Sequence, residues 1–169
     1  NIFMFQNEYR QKNKDSFFTA DFNIVDGYKS KSSNKKNTLG HLFSKYNSDL
    51  NFENFVESSL NISVQRVNND TYLKVFNSNI VDTDLKPDNF DTLTSKIELN
   101  LEHEKFVLDT GFTAYEDLSK SNSDRYQYVL PYYNFSKNLF NDSQFGSFNF
   151  LSQGDNILKD TNNLRSRMI

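Results

Sequence analysis

The chain has 169 residues, of which 36% are hydrophobic and 24% charged, and a net charge of −3. This near-neutral balance excludes the global basic field that gathers nucleic acid. The lack of cysteine removes disulfides and thiolate chemistry from this stretch, and no apolar run approaches the roughly 18 residues of a transmembrane helix.

A mean hydropathy of −0.73 would suit disorder, but 17 Phe and 9 Tyr would not, because disordered chains are poor in aromatics. The first run, Ile2 to Gln11, puts Phe3, Phe5 and Tyr9 on one parity but Ile2 and Met4 on the other, so its faces are poorly resolved. Lys12 to Asp15 read as a short polar turn. From Ser16 to Val25 the period is two: Phe18, Ala20, Phe22 and Ile24 face one way, Thr19, Asp21 and Asn23 the other. A long loop, Asp26 to Asn37, is rich in Lys, Ser and Asn.

The third strand, Thr38 to Leu50, sets Leu42, Tyr46 and Leu50 against His41, Lys45 and Asn47, and Asn51 to Asn54 form a tight turn. The fourth, Phe55 to Val67, alternates Leu60, Ile62 and Val64 with Asn61, Ser63 and Gln65. The longest connection then runs from Asn68 to near Phe90. In the fifth strand Leu93, Ile97, Leu99 and Leu101 oppose Thr94, Lys96, Glu98, Asn100 and Glu102, a pattern foreign to a soluble helix. After a turn at His103 to Lys105, the sixth strand carries Phe106, Leu108, Phe112 and Ala114 on one face and Asp109, Gly111, Thr113 and Tyr115 on the other. Ser119 to Asp124 form a medium loop. The seventh strand, Arg125 to Ser136, contains Pro131, which removes a ladder donor and predicts a local bulge or weakened pairing. Lys137 to Ser143 return the chain to an eighth strand, Gln144 to about Ser152, followed by a loop over Gln153 to Asn163.

Connections therefore alternate between short and long, as they do in outer-membrane barrels, where short turns are periplasmic and long loops extracellular. The expected fold is all-β: an antiparallel up-and-down transmembrane β-barrel, of which this chain supplies about eight to nine strands. Lys12 to Asp15, Asn51 to Asn54 and His103 to Lys105 are assigned to the periplasmic side, Asp26 to Asn37 and Asn68 to Phe90 to the outside. Period two alone also fits a soluble sandwich, so loop length carries the discrimination. Asn1 is not an initiator methionine, no signal sequence follows it, and a new apolar–polar run opens at Leu164. The chain is read as an excerpt of one barrel domain, an open sheet not expected to fold alone.

Gly40-His41-Leu42-Phe43-Ser44-Lys45, and a strand that ends in Arg66 and leads to Asp70-Thr71-Tyr72-Leu73, resemble the LptD family, the lipopolysaccharide-assembly (organic solvent tolerance) proteins of the Gram-negative outer membrane. Glu8-Tyr9-Arg10, Leu93-Thr94-Ser95 and Val129-Leu130-Pro131 match in the same order, so the resemblance covers most of the chain. It implies the early part of the carboxy-terminal barrel, with a periplasmic β-jellyroll before Asn1 and further strands after Ile169. It also implies an activity, delivery of lipopolysaccharide to the outer leaflet, and partners: membrane lipid, an LptE-like lipoprotein plug, and an LptA-like bridge that feeds the jellyroll. The family's disulfide cysteines have no counterpart here, and Asn77 to Phe90 look idiosyncratic. Another outer-membrane barrel, a porin or a receptor, and a soluble all-β binding or adhesive module are the alternatives.

Gly40, His41, Arg66, Asp70, Thr71, Tyr72 and Leu73 are thus a family signature, expected to be structural. Asp70 to Leu73 could shape an extracellular loop that folds inward onto substrate. The favoured reading is a turn, with Asp and Thr bonding local backbone and Tyr72 anchoring at the membrane interface. Lys29, Lys31, Lys35 and Lys36 could meet phosphates but suit a solvated loop. Glu98, Glu102, Glu104 and Asp109 gather around one turn, where a solvated role is expected. His41 and His103 have no ligand spacing. No nucleophile-elbow, P-loop, dinucleotide or metalloprotease pattern occurs, so no catalytic residue, metal, cofactor or nucleic-acid partner is assigned and no enzyme is expected.

Overall fold

The computed structural model describes residues 2–29, 35–121, 123–142, 144, 146–159 and 163–168. Among them nine strands form one antiparallel sheet in sequence order. They are β1 (Phe3–Lys12), β2 (Ser16–Tyr28), β3 (Asn37–Asp49), β4 (Glu57–Val67), β5 (Thr92–His103), β6 (Phe106–Asp117), β7 (Tyr126–Asp142), β8 (Gly146–Lys159) and β9 (Asn163–Met168). Within these residues β1 pairs only with β2 and β9 only with β8, so the sheet is open.

Register sorts the side chains. Leu60 lies opposite Leu99 and Ile62 opposite Ile97, and across the next seam Ile97 meets Phe112 and Leu101 meets Leu108. The interleaved pairs are Asn61 with Glu98, Ser63 with Lys96 and Asn100 with Asp109. One face is therefore apolar and the other polar across several strands, as alternation on a pleated ladder requires. The ambiguity of β1 is resolved the same way: Phe5 packs on Phe22 (centroids 5.9 Å apart) and Tyr9 on Phe18 (6.2 Å), which puts Phe3, Phe5 and Tyr9 on the apolar face.

The apolar face is the exposed one. Phe5, Ile24, Leu42, Ile97, Phe112 and Phe150 each keep between 45% and 48% of their surface exposed, and among the described residues no second layer covers them. Leu93 departs from this. Expected to lie exposed with Ile97, it is buried in a cluster with Leu118 and the long connection, because regular β4–β5 pairing stops at Ser63 and Lys96, short of that end.

At the short-turn end, rings form a chain across the sheet: Phe52 to Phe55, Phe55 to His103 and Phe106, Phe106 to Phe135, and Phe135 to Phe150. The turns there also interlock through backbone bonds, Asp49 N to Asp15 O and Val56 N to Glu102 O, each 2.8 Å.

The bulge expected at Pro131 is present: Val129 to Tyr132 oppose one residue fewer on both β6 and β8. A second bulge lies between Val25 and Tyr28, where Gly27 takes a φ of +83°. Most boundaries shift by one to three residues, and two differ by more. Lys137 to Asp142 continue β7 and Gln153 to Lys159 continue β8, since their Asn, Asp and Gln residues are ladder positions, with Asn138 opposite Asn149 and Asn134 opposite Gln153. The long connection holds a helix, α1 (Tyr72–Phe76), and a 3-10 turn at Asn77–Asn79, where only a loop was expected.

Gly40 has a tight environment, since a Cβ placed there would lie 2.4 Å from the Asn23 carbonyl oxygen of β2. Gly40→Ala is expected to destabilise the sheet by about 1–3 kcal/mol through overpacking, read as a lower urea midpoint by far-UV circular dichroism; an unchanged midpoint would refute this close approach.

Candidate functional site

The connection from Asn68 to Asp91 folds back over the polar face of β1 to β4. Its entry is clamped by Asn68, whose Oδ1 accepts from Gly40 N (2.8 Å) and whose Nδ2 donates to Thr38 O (3.1 Å). Asn69 shapes the next turn, its Oδ1 accepting from Thr71 N (3.0 Å) and Thr71 Oγ1 (2.7 Å). Thr71 then takes the position before the helix without a side-chain cap. Downstream, Gln65 Nε2 donates to Leu85 O (3.1 Å) while its Oε1 accepts from Thr94 N (2.9 Å), and the Gln6 amide, with its nitrogen and oxygen exchanged, donates to Asn79 O and accepts from Val81 N (both 3.2 Å).

Tyr72, Leu73, Phe76, Ile80 and Leu85 of this connection pack on Val25, Leu39 and Phe43, an apolar patch that interrupts the polar face. Tyr72 is fully buried and does not sit at an interface. Its hydroxyl lies 2.8 Å from His41 Nδ1, and the His41 ring stacks on Phe43 with centroids 4.1 Å apart. Burial, reinforced by the negative charge of Asp21, pushes the Tyr72 phenol above its ordinary value, so it stays protonated as a hydrogen-bonding group.

Beneath Tyr72 lies a polar centre. Asp21 and Asn23 are each 1% exposed, and His41 is opposite Asn23 in register. His41 Nε2 approaches Asp21 Oδ2 at 3.4 Å. Neither Asp21 oxygen, neither amide atom of Asn23, nor His41 Nε2 makes a hydrogen bond. The sequence had put Asp21 and Asn23 on the polar face but carried no sign that they are sealed; that follows from the connection folding inward.

A second cluster lies at the same end. Arg125 donates to Glu116 Oε1 through Nε (2.9 Å) and Nη2 (2.7 Å), and to Asp70 Oδ1 through Nη2 (2.7 Å). Arg66 Nη1 reaches Glu116 Oε2 (2.8 Å), and the Tyr126 hydroxyl donates to Glu116 Oε1 (3.1 Å). The signature residues thus fall in two places: Gly40, His41, Tyr72 and Leu73 hold the inner packing, while Arg66 and Asp70 are joined through Glu116 and Arg125. Those last two were missed by sequence reasoning because they lie some fifty residues away along the chain.

The remaining candidates stay apart. Lys29, Lys35 and Lys36 are exposed, and Lys31 falls outside the described residues. Glu98 accepts from the Tyr132 hydroxyl (2.9 Å) and pairs with Lys96 (2.5 Å), Glu104 is an exposed turn residue, and His103 Nδ1 accepts from Lys105 N (3.1 Å). Among the described residues no three His, Cys, Asp or Glu side chains converge as a metal cluster.

Tyr72→Ala is expected to cost about 3–5 kcal/mol, as for other large buried rings, and to expose Asn68 to Asp91 to protease; unchanged cleavage would refute the docking. The Arg125 hydrogen bond holds the Asp70 carboxyl below its usual value. The resulting stabilisation is present above the unfolded carboxylate value of about 3.9 and is lost as pH falls through the lower, folded value. Protease sensitivity of this connection should therefore be flat from neutrality down to about pH 4 and rise below it, and Asp70→Asn should remove the Asp70 component of that rise.

No family model, curated protein or solved structure matches the chain.

Proposed function

We propose that this sheet is part of the wall of a transmembrane β-barrel in the outer membrane of a Gram-negative bacterium, and that the whole protein belongs to the machinery that assembles lipopolysaccharide into the outer leaflet. One observation carries the barrel reading: a row of large apolar side chains that includes Phe5, Ile24, Leu42, Ile97, Phe112 and Phe150 lies on an uncovered face across β1 to β8, while the polar face is the one that receives a connection. A water-soluble sheet buries its apolar side, whereas a barrel wall turns that side to lipid.

Dimensions support this. A strand of 12 residues such as β5 extends about 40 Å at roughly 3.3 Å per residue, and a tilt of about 45° brings its span close to the hydrocarbon thickness. The chain of rings at the short-turn end is what an interfacial aromatic girdle would look like from the side. On this reading the short turns are periplasmic, and the connection over β1 to β4 is an extracellular loop folded into the lumen.

Assignment to lipopolysaccharide assembly rests on the signature from Gly40 to Leu73, whose members hold the lumenal loop in place. Sugars would pass along the polar face, where Asn61, Lys96, Glu98 and Asn100 offer partners, because glycan hydroxyls cannot be left unpaired in hydrocarbon. The lipoprotein plug and the periplasmic bridge are partners proposed on the same ground.

This stretch has no tryptophan, so once any elsewhere in the full-length protein are replaced by phenylalanine, one introduced here reports on its surroundings. In the full-length protein in bilayers, Ile97→Trp should be quenched by brominated lipid and Asn100→Trp should not; equal quenching would defeat the barrel reading. A photo-crosslinker at Asn61 in cells should capture lipopolysaccharide. A barrel that captures none there is another kind of outer-membrane protein.

A further inference from the structure

The polar centre beneath the connection has no account in lipid transport. Asp21, Asn23 and His41 present five buried polar atoms without hydrogen-bond partners, where the rings of Tyr72 and Phe43 lie against that of His41. A buried carboxylate needs a positive counterpart or a proton. Among the described residues the ion-pair partner of Asp21 is His41, an imidazole that carries charge only when protonated.

The spacing of that pair is informative. A charge-assisted N–H···O bond closes to about 2.8 Å, whereas His41 Nε2 and Asp21 Oδ2 stand at 3.4 Å. Two ligands about 2.1 Å from one tetrahedral ion are separated by about 3.4 Å. The other imidazole nitrogen is held by the Tyr72 hydroxyl at 2.8 Å, the outer-shell bond by which metal-binding histidines fix their orientation and tautomer. Asn23, two residues from Asp21 along β2 and opposite His41 across the ladder, has a buried, unpartnered amide oxygen on the same face.

We propose that Asp21, Asn23 and His41 bind a divalent transition-metal ion of the Zn2+ type, and that Tyr72 couples this ion to the docked connection. The donor set of imidazole nitrogen, carboxylate and amide oxygen suits Zn2+, and imidazole disfavours the hard cations Mg2+ and Ca2+. The second oxygen of Asp21 or a water completes four positions. The ion neutralises the buried carboxylate and locks the imidazole that holds Tyr72, so binding and docking of the connection reinforce one another. This site lies within one chain and stands independently of the lipopolysaccharide reading.

The test is titration of the full-length protein with Zn2+, and with Co2+ as a spectroscopic substitute. We expect one ion per chain, an intense tetrahedral Co2+ visible band, and slower tryptic cleavage after Lys74 when metal is bound. Asp21→Asn and His41→Gln should weaken binding by about a hundredfold or more, and Tyr72→Phe, a positioning change, by about tenfold with a shifted Co2+ band. Absence of the band in the wild type, or wild-type affinity in folded Asp21→Asn and His41→Gln, would overturn the proposal and leave an enclosed water as occupant. Should those variants not fold, full-length protein with isotope-labelled histidine introduced at position 41 alone gives a second readout. Its imidazole nitrogen resonances must then move on adding Zn2+, and unmoved resonances refute the site.

Discussion

Strict alternation along a hydrogen-bonded ladder is the constraint on which this molecule depends. Because successive residues of a strand point to opposite faces and the strands pair in sequence order, the register that places Ile62 beside Ile97 also places Asn61 beside Glu98. Slippage by one residue would turn Glu98 to the apolar side and Ile97 to the polar one. The close approach at Gly40 and the bulges near Gly27 and Pro131 adjust this ladder locally, and each falls toward the long-connection end of its strand.

The long connection can dock because the same register gathers Val25, Leu39 and Phe43 on the polar face of neighbouring strands. Tyr72, Leu73 and Phe76 cover that patch, and the bonds from Asn68, Gln65 and Gln6 attach the connection to β1, β3 and β4. Arg125 and Glu116 add an outer fastening between Arg66 and Asp70. Packing, hydrogen bonding and ion pairing thus act together at one end of the sheet, whereas aromatic contacts and backbone bonds between turns serve the other.

Much of this was legible from local pattern. The face of each residue in β2 and β5, the order of short and long connections, and the disturbance at Pro131 follow from side-chain period and from the missing proline N–H. Legibility ended where a polar residue could be ladder or loop: Asn138 and Gln153 look like turn residues yet pair with Asn149 and Asn134 across β7 and β8. It also ended where long-range folding decides. Tyr72 carries the marks of an interfacial tyrosine, and only the reversal of the connection over β3 brings it to His41. Leu93 belongs by parity to the exposed row, and the packed end of β5 takes it out of that row. Asp21 is one more alternating polar residue until the connection seals it.

Unequal covering of the two sides of the sheet bears on how freely the sequence can drift. Ile24, Leu42 and Ile97 have no complementary surface to match among the described residues, so leucine, valine or phenylalanine would serve nearly as well at those positions. Their neighbours Val25, His41 and Phe43 each meet a defined group and admit few replacements. Along β2 and β3, residues open to exchange should alternate with residues that are not, writing the period of the strand into the history of its lineage.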